Sequence, residues 1–183
     1  MDKRRCIDMN KKNLNNRGFS LIELIVVVLI TAIISGGIVT SMVVIRDADV
    51  SAASKKLVSM LTAARSYTIA KSGGTVWFEL AREESGSYYA YVYQGDKSTP
   101  GDAEVLSSEK IGGKSLTFKV RENLDDGSAK VTQVTDSTSV KFNFIKASGA
   151  LTESYTDITV EGGSDKVENI IIIKETGRCI REF

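Results

Sequence analysis

Three hydrophobic patterns follow one another along the chain. Residues 24–45 run for 22 positions without a formal charge, and at about 1.5 Å rise per residue a helix of that length spans ~33 Å, enough for the core of a bilayer. From Val50 onward apolar residues return at three- and four-residue steps: Val50, Ala53, Leu57, Met60, Ala64 and Tyr67, with Lys55, Lys56 and Arg65 off the stripe. That spacing predicts an amphipathic helix. No proline interrupts residues 19–72, so one helix is expected from Phe19 to a stop at Gly73-Gly74.

Beyond Gly74 the period falls to two. Val76, Phe78 and Leu80 alternate with polar or amphipathic residues, residues 88–93 read as a strand, and the same alternation returns at Leu116, Phe118 and Val120, at Val140, Phe142 and Phe144, and at Ile158 and Val160. Residues 83–86, 95–101, 112–113, 125–128, 148–149 and 162–163 are the expected breaks. The four isoleucines within residues 169–174 predict a central strand covered on both faces, with residues 177–182 as a short return. The fold class is therefore α+β, a long N-terminal helix packed on an antiparallel sheet. Leu57, Leu61, Phe78, Phe118, Phe142 and Ile172 are expected in its core.

Charge adds an orientation. Six of the 24 basic and two of the 23 acidic residues precede Gly18, leaving 18 basic and 21 acidic beyond it. A basic flank before an apolar helix places the N-terminus in the cytoplasm and the remainder outside. An ordinary cleaved signal peptide does not fit, because its apolar core is ~7 to 15 residues and the cut follows it. Glu23, at the lip of the apolar run, requires a counter-charge, since an ionised carboxylate in hydrocarbon is costly. A cut between Gly18 and Phe19 would create one, as a new α-amino group with a pKa near ~8. On a neighbouring copy shifted along its axis, that amine would meet Glu23, so charge would set the register of assembly.

Arg17-Gly18 followed by Phe19-Ser20-Leu21-Ile22-Glu23-Leu24 resembles the leader junction of type IV pilins and secretion pseudopilins. The resemblance implies cleavage by a prepilin peptidase between Gly18 and Phe19 and N-methylation of Phe19. Further along, Leu61, Ala64-Arg65-Ser66, Ile69-Ala70, the strand and loop of residues 140–149, and the ending at Gly177-Arg178 resemble the GspH and FimT minor pilins and pseudopilins. The implied domains are a leader (1–18), a membrane or filament-core half helix (19–45), an amphipathic half (46–73) and an extracytoplasmic head (74–183). The implied partners are the peptidase, other pilin subunits, the inner-membrane assembly platform with its ATPase, and the membrane before assembly into a pilus or pseudopilus. Many major pilins carry a proline where this chain has Thr40, so their kink is not expected here. Gly36-Gly37 is read as a close-packing feature of a membrane helix.

The head offers little chemistry. It has no histidine, which removes Ser-His-Asp and Cys-His catalysis and His-ligated zinc, and no enzyme activity, cofactor or metal is expected. Asp125-Asp126-Gly127-Ser128 lacks the alternating carboxylates and closing glutamate of a calcium loop. With Cys6 in the leader, Cys179 is the single thiol of the expected mature chain and is read as a small buried residue. Tyr89, Tyr91 and Tyr93 share one strand face and are expected to shield it, with an interaction or sugar-stacking surface as the alternative. Arg178 and Arg181 resemble the C-terminal arginines of DNA-uptake minor pilins, though at looser spacing. Nucleic acid is not the expected partner of a mature chain with an acidic balance. A membrane-anchored domain that never polymerises is the remaining alternative.

Overall fold

The computed structural model describes residues 19–70, 74–95, 103–124, 126–163 and 166–182, with the side chains of residues 36–43 outside the description. The expected leader with Cys6 and Gly18, the side chain of Thr40, the expected stop at Gly73 and most of the break at 95–101 therefore lie outside the described residues. The order of elements is α1 (Leu21–Ala70), β1 (Thr75–Arg82), β2 (Tyr88–Gly95), β3 (Glu104–Gly112), β4 (Thr117–Asn123), β5 (Ala129–Gln133), β6 (Val140–Asn143), β7 (Tyr155–Glu161), β8 (Val167–Ile173) and β9 (Arg178–Glu182). The chain divides into two units, Met1–Thr40 and Ser41–Phe183.

In the first unit, every described side chain of residues 21–35 is exposed. The hydroxyls in this stretch are satisfied inside the helix: Thr31 Oγ1 donates to the carbonyls of Val27 and Val28 at 2.9 Å, and Ser35 Oγ donates to Thr31 O at 2.7 Å. The apolar surface thus carries no side-chain hydroxyl that needs water.

In the second unit the predicted stripe of α1 is buried. Val50, Ala53, Leu57, Met60 and Ala64 lie against the strands, as does Leu61. Tyr67 is a correction, since it is exposed and Thr68 is buried in its place. A helix of 3.6 residues per turn lets the last step of the stripe fall at either position. Thr68 is tolerated there because its Oγ1 donates to Ala64 O at 2.9 Å.

The antiparallel sheet expected from the sequence is divided in two, with strand orders β3-β2-β1-β6 and β5-β4-β7-β8-β9. Phe144 and Leu151 pair in an isolated bridge, and Leu151 N–H donates to Lys174 O at 2.8 Å, stitching the end of β6 to the end of β8. The inner faces share one core, where Tyr88 tilts on Phe118 at 4.7 Å between centroids and Phe142 on Tyr155 at 4.9 Å. All six expected core residues are in it.

β8 lies between β7 and β9 as expected of a central strand, but only one face is covered. Ile170 and Ile172 are buried while Ile171 is 40% exposed. Consecutive isoleucines reflect β-propensity on the wet face as well as burial on the dry one. β3 and β5 have no counterpart in the sequence reading, because both are edge strands with mostly exposed or half-buried side chains and no clean alternation.

Candidate processing and assembly site

Phe19 and Ser20 precede the helix, and Leu24 N–H donates to Ser20 O at 3.2 Å, which makes Ser20 the N-cap position. Glu23 follows three residues later in the first turn, the spacing of a capping box. The partial positive charge of the helix start favours a carboxylate there. Glu23 is exposed, and among the described residues it makes no ion pair. Phe19 is 81% exposed and Gly18 lies outside the described residues. The geometry is an acid at the start of a helix whose apolar side chains over residues 21–35 are exposed.

Residues 13–39 match the family model of the prokaryotic N-terminal methylation motif. The chain carries a methylation motif typical of type IV pilin-like proteins. No curated protein and no solved structure matches the chain. Among the described residues no helix is long and apolar enough to cross a membrane, and the side chains of residues 36–43 in the middle of the apolar run are not part of that description.

The two candidate arginines near the C-terminus are not brought together. Three residues apart on β9, they face opposite ways. Arg178 is exposed, whereas Arg181 turns inward and binds the Glu168 carboxylate through Nε at 3.3 Å and Nη2 at 2.9 Å. Glu168, itself buried, also accepts from Ser51 Oγ of α1 at 2.6 Å and has Lys166 Nζ at 3.6 Å. This carboxylate, absent from the sequence reading, clamps β8 and β9 to the helix.

The tyrosine row is a continuous stack. Trp77, Tyr93, Tyr91 and Tyr89 follow one another at centroid separations of 5.4, 5.7 and 6.1 Å with their planes within 27°. The rings pack on one another along the outer face of the first sheet. Tyr91 donates to Glu83 Oε1 at 2.6 Å, and that bond, with burial, holds its phenol up at about 12. Burial likewise pushes the Cys179 thiol up to about 12, against the opposing charge of Arg65, so the thiolate is scarce at neutral pH. Among the described residues no three His, Cys, Asp or Glu side chains are grouped to hold a metal.

A second feature missed in the sequence is a repeat. Ile145-Lys146-Ala147-Ser148-Gly149 and Ile173-Lys174-Glu175-Thr176-Gly177 form the same turn twice. In each, the glycine N–H returns to the isoleucine carbonyl at 2.7 Å, and the glycine takes a positive φ of 70° or 63°. Arg65 Nε donates to Thr176 O at 2.8 Å and to Gly149 O at 3.3 Å, joining both turns to α1. The Ala64-Arg65-Ser66, Gly149 and Gly177-Arg178 segments thus meet at one corner, and the shared Ile-Lys-x-Ser/Thr-Gly pattern was the available signal.

Proposed function

We propose that this protein is a minor pilin or pseudopilin of the GspH/FimT type. In this reading a prepilin peptidase cuts between Gly18 and Phe19 on the cytoplasmic side and Phe19 is N-methylated. Residues 19–45 cross the membrane before assembly and enter the core of a pilus or pseudopilus afterwards, with the head (74–183) outside and residues 46–73 joining the two. The observation that carries the reading is the methylation motif over residues 13–39, which coincides with the start of α1 at Leu21. The exposed apolar side chains of residues 21–35, with their hydroxyls bonded internally, supply a surface that lipid or neighbouring helices would cover. Glu23 is the register charge, neutralised by the Phe19 amine of an adjacent subunit. Mass spectrometry of the protein from its native membrane tests this. The expected N-terminus is methylated Phe19; an intact Met1, or a cut beyond Ile45, would overturn it.

A further inference from the structure

Two exposed charge clusters of opposite sign lie at opposite ends of the second unit. Lys56 Nζ donates to Lys110 O at 3.1 Å and Ser107 Oγ donates to Met60 Sδ at 3.9 Å, so β3 runs against α1, and β1, antiparallel to β2 as β3 is, runs the same way. The β1–β2 turn therefore lies at the end where α1 enters the unit. β6 is antiparallel to β1 and runs with α1, and the bonds from Arg65 to Gly149 O and Thr176 O put both twin turns at the other end. Because β1 and β6 are paired neighbours, the turn after β1 and the turn after β6 close opposite ends of one pair of strands.

At the twin-turn corner Lys146, Lys174 and Arg178 are exposed beside the half-buried Arg65. Lys174 Nζ donates to Ser154 Oγ at 2.9 Å, and none of the three exposed cations makes an ion pair among the described residues. The acids there are Glu175, which is exposed, and Glu153, which accepts from Asn143 N at 2.9 Å. At the far end Glu83 and Glu84 are exposed in the β1–β2 turn. Glu83 accepts from Tyr91, and neither acid makes an ion pair among the described residues. Of the cations near them, Arg82 is taken by Asp136 at 3.4 Å and Lys114 lies against Gly86. Cations thus outnumber acids at the corner, and acids outnumber cations at the turn.

No copy can join its own two clusters. In copies anchored the same way in one membrane, the clusters meet only if one copy is displaced along α1, which brings the corner of one to the turn of the next. We propose that the twin-turn corner docks on the β1–β2 turn of a second copy of this chain in the same orientation, with Lys146, Lys174 and Arg178 facing Glu83 and Glu84. The contact is heterologous and open-ended, and it rests on the filament reading above. Exposed pairs add little affinity one by one; they fix which surfaces meet and in what register.

The test is cross-linking in the full-length chain, in its native membrane and sheared filaments, with Cys6→Ser and Cys179→Ser in the background. Ser85 and Ala147 are exposed in the two turns and carry no charge. With Ser85→Cys and Ala147→Cys in one chain, a short bis-maleimide is expected to give a ladder of dimers, trimers and larger species, and either cysteine alone is not. Lys146→Glu with Lys174→Glu should reduce the ladder to the single-cysteine level, as should Glu83→Lys with Glu84→Lys, and all four reversals together should restore it. A folding defect at one end of the head is not repaired by reversals at the other. The N-terminus in each band is read by mass spectrometry. Methylated Phe19 without a ladder, equal cross-linking from one cysteine, bands that join this chain only to a different subunit, or reversals without effect or without mutual rescue would each overturn the contact alone. An intact Met1 would overturn the filament reading, and this contact with it.

Discussion

Arg181 and Glu168 form a buried ion pair, with side chains 13% and 8% exposed and Nη2 2.9 Å from Oε2. The second carboxylate oxygen takes the Ser51 hydroxyl at 2.6 Å, and Lys166 Nζ also donates to that hydroxyl at 2.8 Å. A group this well hydrogen-bonded is costly to break from one side, because the remaining charge stays buried without its partner. Arg181→Ala should lower the unfolding free energy of the head by about 3 to 5 kcal/mol, whereas replacing both partners by apolar residues of similar size should cost far less. Urea unfolding of a fragment beginning at Val50 measures this. That fragment should fold without metal or disulfide, and equal losses in the single and double variants would contradict the clamp.

The same carboxylate sets an acid limit. Burial pushes the Glu168 carboxyl up, but the hydrogen bonds from Ser51 and Arg181 and the Arg181 charge outweigh it and hold the group below its ordinary 4.5. The folded state therefore binds this proton more weakly than the unfolded state. The contribution is complete above the unfolded value and is lost as the pH falls through the folded one. Stability of the head should decline below about pH 4.5, and Glu168→Gln should flatten that part of the profile while lowering the plateau at neutral pH. An unchanged acid limb in Glu168→Gln would exclude Glu168 as its source.

The twin turns predict an asymmetry between glycine and arginine variants. A Cβ at Gly177 would collide with the Gly149 carbonyl oxygen and meet Phe144 at 3.0 Å, in a backbone with φ of 63°. Gly177→Ala should thus cost more than ~1 to 3 kcal/mol, the usual strain of a side chain at positive φ. Arg65→Ala leaves two carbonyls without their donor and should cost about 1 to 3 kcal/mol. Thermal unfolding of both variants checks the order, and a neutral Gly177→Ala would rule out the close approach.

Under the proposed pilin-like function, Glu23→Leu should separate insertion from assembly. Removing a charge from an apolar helix favours insertion by at most ~2 to 3 kcal/mol at the bilayer centre and by less at its edge. Membrane levels and the cut at Gly18 should therefore persist while incorporation into sheared filaments falls. A variant that enters filaments as well as the native chain would leave Glu23 as a first-turn helix residue and no more.

The long helix, the α+β class and the buried stripe were legible because each is a local matter. A period of 3.6 or 2 states which side of a segment will be dry, whatever it packs against. Leu57, Phe78, Phe118 and Phe142 could be placed in the core on that ground alone, and the junction at residues 17–24 could be read as a contiguous pattern. The strands β3 and β5 escaped, since their side chains are exposed or half-buried for most of their length and show no clean hydrophobic period. The division into two sheets, the reach of Arg65 to turns 84 and 111 residues away, and the burial of Glu168 against Ser51 at a separation of 117 escaped for another reason. A charged residue in a strand reads as solvent-facing unless its partner is known, and that partner is brought up only when segments distant in sequence pair. Arg178 and Arg181 show both sides of this limit: the strand period already sends them to opposite faces, but only the folded chain puts a carboxylate beneath one of them and an open edge beside the other.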